Sequence, residues 1–245
     1  MADRRRTLRG LGTALTVDLG NSAVDQAEFD RVWSRCAAPH ATAAEPALTL
    51  TPDSGLESAT QQITQALIAA RAGRLLMFHA GGVADPATGR SLVFVAPGGT
   101  GKSTLTRALA AEYGYLSDET IGIEPGTWAV RPYPKPVTLA PDGVPPKREH
   151  APDELGLGNA PEAAHVAGLV VLRRTPGRAT ATFTDLGVLD TIMAVTPETS
   201  SLSALPRPLH LLADLHAAVG CRLVEYGESA QVLSWCRAVL DGEAP

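Results

Sequence analysis

Apolar positions recur along this chain at two periods, and the switches between them outline its elements. Residues 13–19 alternate as a half-buried strand does, and residues 47–50 repeat the pattern. Between them Phe29, Val32 and Trp33 fit a short helix or strand. Thr51-Pro-Asp-Ser54 supplies cap chemistry ahead of Ala59, Ile63, Leu67 and Ile68, which predicts a helix over residues 56–71. Two apolar runs, 75–84 and 91–96, read as strands joined by the turn residues Asp85-Pro-Ala-Thr-Gly89. From Lys102 onward Leu105, Ala108 and Leu109 fall on one helical face, with Gly114 as the expected cap and a brief strand after it.

Further on, residues 121–123 and 128–130 predict a hairpin across Glu124-Pro-Gly126. Three alternate prolines in residues 131–136 exclude a regular ladder there, leaving an ordered loop or an edge. Residues 141–161, rich in Pro, Gly and charge, read as a loop that is either a lid over a site or a plain insertion. A core strand follows at 166–172 with residues 179–184 as its neighbour, then a helix at 209–219, a strand at 222–226 and a closing helix at 230–240. This order predicts an α/β fold, a mixed β-sheet core with flanking helices. The expected organisation is strands and a helix in residues 1–74 packing on a core of residues 75–245, as one compact domain. There is no internal repeat and no apolar span of membrane-crossing length.

Composition narrows the classes. A chain of 245 residues can bury a sizeable core. Its net charge of −5 suggests no basic face for nucleic acid. The Arg4-Arg5-Arg6 cluster is followed by polar and glycine residues rather than an apolar stretch, which argues against export and suggests a solvated tail. Cys36, Cys221 and Cys236 are odd in number and lack C-x-x-C spacing, so neither a zinc site nor a disulfide framework is expected, and a reducing cytoplasm is the default. Lysine occurs only at 102, 135 and 147.

The chemistry concentrates at Ser91-Leu-Val-Phe-Val-Ala96-Pro-Gly-Gly-Thr100-Gly-Lys-Ser-Thr104, where an apolar strand enters a glycine turn, a lysine, two hydroxyls and a helix. Backbone N–H groups of such a turn and of the helix start converge on an anion. Pro97, Gly98, Gly99, Thr100, Gly101, Lys102, Ser103 and Thr104 are thus the candidate phosphate cradle, with Lys102 supplying charge and Ser103 a hydroxyl ligand for Mg²⁺. Ala96 stands where the usual G-x-x-x-x-G-K-[ST] pattern has its first glycine. Sixteen residues after Lys102 come Asp118 and Glu119, a short spacing that sets the acids on the very next strand. Phosphoryl transfer to a hydroxyl needs a carboxylate at the acceptor proton and a metal to spread charge, and Asp118 and Glu119 can divide those tasks. Lys135 reads by itself as an exposed lysine on a stiff loop. Arg173 is either a phosphate contact from a strand end or a solvated arginine before a turn. His79, within an apolar run, is either a hydrogen-bonded core residue or a group that tunes Asp118.

Residues 75–124, from Phe78-His79-Ala-Gly-Gly through the glycine loop to Gly114-Tyr-Leu-Ser-Asp-Glu119, resemble the catalytic core of HPr kinase/phosphorylase and its relatives. The nucleotide-binding core of that family is similar to ATP-dependent phosphoenolpyruvate carboxykinase. The resemblance implies a kinase using ATP or GTP with Mg²⁺, in which Lys102 and Ser103 match the phosphate and metal ligands. Asp118 matches the catalytic acid/base, Glu119 the second acid of a pair more often Asp-Asp, and His79 a histidine near the reaction centre. In relatives a proline-rich crossing such as residues 131–136 lies close to the active site, which implies a contact of Lys135 with the acceptor or the terminal phosphate. No segment matches the family's sizeable N-terminal domain or its downstream glycine-rich signature. The expectation is therefore a compact relative acting on a hydroxyl-bearing peptide or small molecule rather than on HPr, with no nucleic acid or membrane partner and the oligomeric state open. The alternatives are a catalytically silent nucleotide-binding scaffold, favoured by Ala96 and Glu119, and a carboxykinase-like enzyme, disfavoured by the short chain.

Overall fold

The computed structural model describes residues 4–39, 47–140 and 147–243. In chain order these form strands β1 (Arg5–Gly10) and β2 (Thr13–Asp18), helix α1 (Gln26–Val32), β3 (Ala47–Thr49), α2 (Leu56–Arg71), β4 (Leu76–Ala84), β5 (Arg90–Val95) and α3 (Lys102–Ala110). There follow β6 (Gly114–Ser117), β7 (Thr120–Ile123), β8 (Ala129–Arg131), β9 (Val137–Leu139), β10 (Arg148–His150), β11 (Ala164–Arg174) and β12 (Thr182–Asp185). Helix α4 (Val188–Val195), β13 (Thr199–Ser200), α5 (Pro208–Val219), β14 (Cys221–Tyr226) and α6 (Leu233–Leu240) complete the chain. They group into two compact units, Met1–Arg71 with Tyr133–Gly156, and Ala72–Pro132 with Leu157–Pro245. The expected divide at 74 kept residues 133–156 with the later part, whereas here they pack with the first unit.

In the first unit β1 and β2 form a hairpin and β3 adds parallel to β2. The arginine-rich start is thus strand, not solvated tail. It is tied down because Arg4 donates to the Val24 carbonyl at 3.0 Å and Arg6 pairs with Asp30. Phe29 stacks on Trp33 in its core, Tyr133 packs tilted against Trp33, and the Tyr133 hydroxyl lies 2.9 Å from that of Thr64 on α2. Within the range expected to be a loop, residues 147–161 instead contain β10, paired antiparallel with β9, and a 3₁₀ turn at Pro152–Leu155. Residues 141–146 of that expected lid lie outside the described residues.

The second unit is a mixed α/β structure around one sheet, in the order β12-β14-β11-β5-β4-β7-β8, with β6 and β13 also paired to β4. β5, β11 and β14 run parallel to one another, and β4 lies antiparallel to β5. β8 also pairs with the start of β11, so this part of the sheet returns on itself. Residues 179–184 were expected beside β11; β14 intervenes, and β12 pairs with β14 instead. Alternation along β4 sends Leu76, Phe78, Ala80 and Ala84 into the apolar core. His79 and Gly81 therefore share the opposite face, where a Cβ on Gly81 would run into Thr106 Oγ1 of α3. The absence of that carbon lets α3 lie close against β4. Gly114 is not the helix cap that was expected. α3 ends at Ala110 and Gly114 opens β6, where a Cβ would meet the Asn159 carbonyl oxygen.

Candidate functional site

β5 is buried along most of its length and stops at Val95, opposite Ala80 of β4. The loop that follows can turn because Gly99 and Gly101 hold φ values of 78° and 94°, a region open to glycine and costly for residues with a Cβ. Two bonds brace it. Thr100 Oγ1 donates to the Pro97 carbonyl at 2.7 Å, and the Tyr226 hydroxyl of β14 donates to the Thr100 carbonyl at 2.7 Å. Gly101 then caps α3, so Lys102 and Ser103 open the helix with their backbone N–H groups unclaimed by the helix ladder.

Asp118 and Glu119 occupy the step between β6 and β7, which run along the other edge of β4. Ser117 pairs with Gly82 and Thr120 with His79, while the Ala80 N–H donates to the Glu119 carbonyl at 3.0 Å. The Asp118 carboxylate is buried and accepts a hydrogen bond from the Tyr115 hydroxyl at 2.8 Å. Such a bond to a charged acceptor fixes the carboxylate's direction as well as its energy.

These elements enclose a cavity of about 350 Å³ lined by His79, Gly98, Gly99, Gly101, Lys102, Ser103, Thr104, Asp118 and Arg174. The structure thus brings together the glycine loop, the lysine, both hydroxyls, the first acid and the histidine expected from sequence. Lys102 is buried, and its Nζ donates to the carbonyls of Ala96 and Pro97, the second at 3.0 Å. Burial lowers the ammonium's pKa, against the opposing pull of Glu198 and then Asp118. His79 is likewise held below its ordinary value by burial and by the charge of Lys102, while Glu198, Glu119 and a hydrogen bond to the Glu119 backbone oppose that shift. A neutral imidazole near pH 7 is the consequence.

Of the expected residues, Pro97 and Thr100 line a second cavity at the loop, and Glu119, Arg173 and Lys135 also fall outside this one. Glu119 does not line the cavity, although its carboxylate acts on His79. Arg173 is exposed and paired with Glu225 at 3.1 Å, and it lines the second cavity rather than this one, where its neighbour Arg174 takes the wall position. The reason is register: Arg174 stands opposite Tyr226, whose side chain faces the loop. Lys135 belongs to the first unit and is buried, donating to the Pro136 carbonyl at 2.9 Å. It is not the exposed lysine that a stiff loop suggested. Arg174, Tyr115 and Glu198 were not singled out from sequence. The second cavity, of about 510 Å³, shares Gly98, Gly99 and Arg174 with the first and is lined also by Pro97, Thr100, Val171, Leu172, Arg173 and Pro176.

No family model matches the chain, and no curated protein is similar to it. Among solved structures, that of the Hpr(Ser) kinase/phosphatase from Coxiella burnetii is similar at 9% identity and a TM-score of 0.37, over 68% of this chain and 94% of that one. This is a distant likeness, too remote for side-chain roles to be carried across. No helix among the described residues is long and apolar enough to cross a membrane.

Proposed function

We propose that this chain is a phosphotransferase that moves the terminal phosphoryl group of ATP or GTP to a hydroxyl of a peptide or small molecule. The observation that carries the reading is the convergence of Lys102, Ser103, Asp118 and His79 on one cavity beside a glycine loop of helix-capping geometry. In this reading the amides of residues 98–103 and Lys102 hold the phosphates, displacing the loop carbonyls that Lys102 now contacts. Asp118, aimed by Tyr115, accepts the acceptor's proton, and Arg174 adds positive charge at the wall between the two cavities. The larger cavity, with its apolar strand-end residues, suits the nucleoside.

Ser103 on the cavity wall fits a magnesium ion beside the phosphates, whereas Glu119 stands off that wall. Among the described residues there is no cluster of three or more His, Cys, Asp or Glu suited to a metal. Mg²⁺ needs none, since it keeps waters and takes one or two protein oxygens beside the phosphates. Ser103 and Glu119 are proposed to hold it, and when bound it would spread charge over the transferred group.

The test is transfer of label from γ-labelled ATP and GTP to peptide and small-molecule hydroxyls, comparing wild type with Asp118→Asn. Acceptor-dependent transfer that Asp118→Asn abolishes supports the reading, and equal turnover in both removes Asp118 from its role. A silent scaffold is the competing reading, favoured by the position of Glu119 off the cavity wall. It predicts calorimetric binding of nucleotide with no diphosphate formed in any acceptor mixture.

A further inference from the structure

One hydrogen bond reaches the glycine loop from a residue 126 positions further along the chain: the Tyr226 hydroxyl donates to the Thr100 carbonyl at 2.7 Å. Thr100 lines the larger cavity at the loop and Gly101 the smaller, whereas Tyr226 lines neither. The carbonyl of Thr100 and the N–H of Gly101 belong to one peptide unit, and in a trans unit they point opposite ways. With the carbonyl turned onto Tyr226, the Gly101 N–H is turned away from it, and among the described residues that N–H has no acceptor. A Cβ on Gly101 would stand 3.1 Å from the same hydroxyl, so close approach demands a glycine there as much as the φ of 94° does.

The sequence around Tyr226 keeps it in place. The side chain is fully buried at the end of β14, where the residue pairs with Arg174 of β11 and its carbonyl accepts from the Thr175 N–H at 2.8 Å. The next two residues are held by Gln231, whose Oε1 accepts from the N–H groups of Gly227 at 2.8 Å and Glu228 at 3.2 Å. They in turn hold Arg174, whose Nε donates to the Gly227 carbonyl at 2.8 Å and whose Nη2 donates to the Glu228 carboxylate at 2.9 Å. One short segment thus secures both the loop and the arginine between the two cavities. Burial raises the pKa of the phenol, so its hydroxyl keeps its proton and donates throughout the neutral range.

We propose that Tyr226 is a positioning residue for the phosphate cradle: by fixing the Thr100–Gly101 peptide it presents the Gly101 N–H to the phosphates. The assignment rests on the phosphotransferase reading for its cradle and not for its transfer step. Without the hydroxyl that peptide unit is free to turn, and part of the ligand's binding energy then goes into ordering it.

The experiment sets Tyr226→Phe against Tyr113→Phe, which deletes a hydroxyl donating to Asp241 at 2.8 Å in the same unit and away from both cavities. Calorimetry measures the binding of ATP and of inorganic tripolyphosphate, each with Mg²⁺, and thermal midpoints are recorded without ligand. Tyr226→Phe is expected to bind both probes about 10-fold more weakly than wild type. Tyr113→Phe should bind both as wild type does, although it loses a bond to a charged acceptor and its thermal midpoint falls as far or further. Wild-type affinity in Tyr226→Phe overturns the assignment. So does equal weakening in Tyr113→Phe, which makes the effect one of general stability, and so does a loss confined to ATP, which places the effect at the nucleoside. A wild type that binds tripolyphosphate but transfers no phosphoryl group to any acceptor sinks the phosphotransferase reading, and the comparison of affinities then decides the role of Tyr226 by itself. A wild type that binds neither probe removes the cradle and the assignment together.

Discussion

Tyr115→Phe removes one oxygen atom and tests the geometry of the acid directly. The ring is fully buried and stays, so no cavity opens; what disappears is the 2.8 Å bond from the hydroxyl to the buried Asp118 carboxylate. A hydrogen bond to a charged group contributes about 1.5–3 kcal/mol, and leaving its buried acceptor short of a donor puts the cost at that level. For a chain of this size each kcal/mol moves the thermal midpoint by about 2–4 °C, so a drop of roughly 3–12 °C is expected by calorimetry or circular dichroism. Turnover should suffer more than stability, because a carboxylate held less firmly spends less time aligned, and misplacement of a reacting group by about 1 Å costs on the order of 10²-fold. Crossing Tyr115→Phe with Asp118→Asn isolates the pair, and a coupling of about 1 kcal/mol or more in stability is expected. Additive effects, or a Tyr115→Phe protein with the wild-type midpoint and wild-type turnover, would refute the reasoning.

Gly81→Ala should destabilise by about 1–3 kcal/mol in urea titration, since the new methyl meets Thr106 Oγ1, and Thr106→Ala should restore part of the loss by removing that atom. Arg174→Ala, which strips a residue shared by both cavities, should weaken ATP binding about 10-fold by calorimetry, whereas Arg173→Ala, at an exposed residue of the larger cavity alone, should weaken it less. His79 is held below its ordinary pKa in the folded chain, so the unfolded state binds more protons as pH falls through about 6.5 and stability falls with it. Thermal midpoints of the nucleotide-free protein should thus be highest above that pH, and His79→Asn should flatten the profile between pH 5 and 7. Burial pushes the thiols of Cys36 and Cys236 up to about 12 and that of Cys221 to about 11. A thiol reagent at pH 8 should leave all three unmodified until denaturant is added, as mass spectrometry would show.

What could be read from the sequence was what local pattern controls. The stripe of Ala59, Ile63 and Leu67 became α2 with the expected ends, and the glycine loop, Lys102 and Asp118 came together because one strand, one helix and the next strand carry them. The misses arose from pairing between distant segments. Arg173 and Arg174 are equivalent in composition, and only the register of β11 against β14 decides which faces the loop. Thr199 and Ser200 join β4 as a two-residue strand, too short to leave a periodic signal. β1 was hidden because three consecutive arginines look like a tail until their partners on α1 and the segment before it are known. Helix α4 passed unnoticed because its Leu189 and Met193 are exposed, so it lacks a clean division into apolar and polar faces.

The interleaving of the two units along the chain has a consequence for biosynthesis and for dissection. The backbone crosses between them at 71/72, 132/133 and 156/157, so neither is a continuous segment. As the nascent polypeptide emerges, the N-terminal unit lacks Tyr133, the partner of Thr64, until the glycine loop and both acids have already left the ribosome. No single cut liberates either unit intact. Producing one alone would demand a rewired chain, with residues 71 and 133 or residues 132 and 157 joined by a new linker.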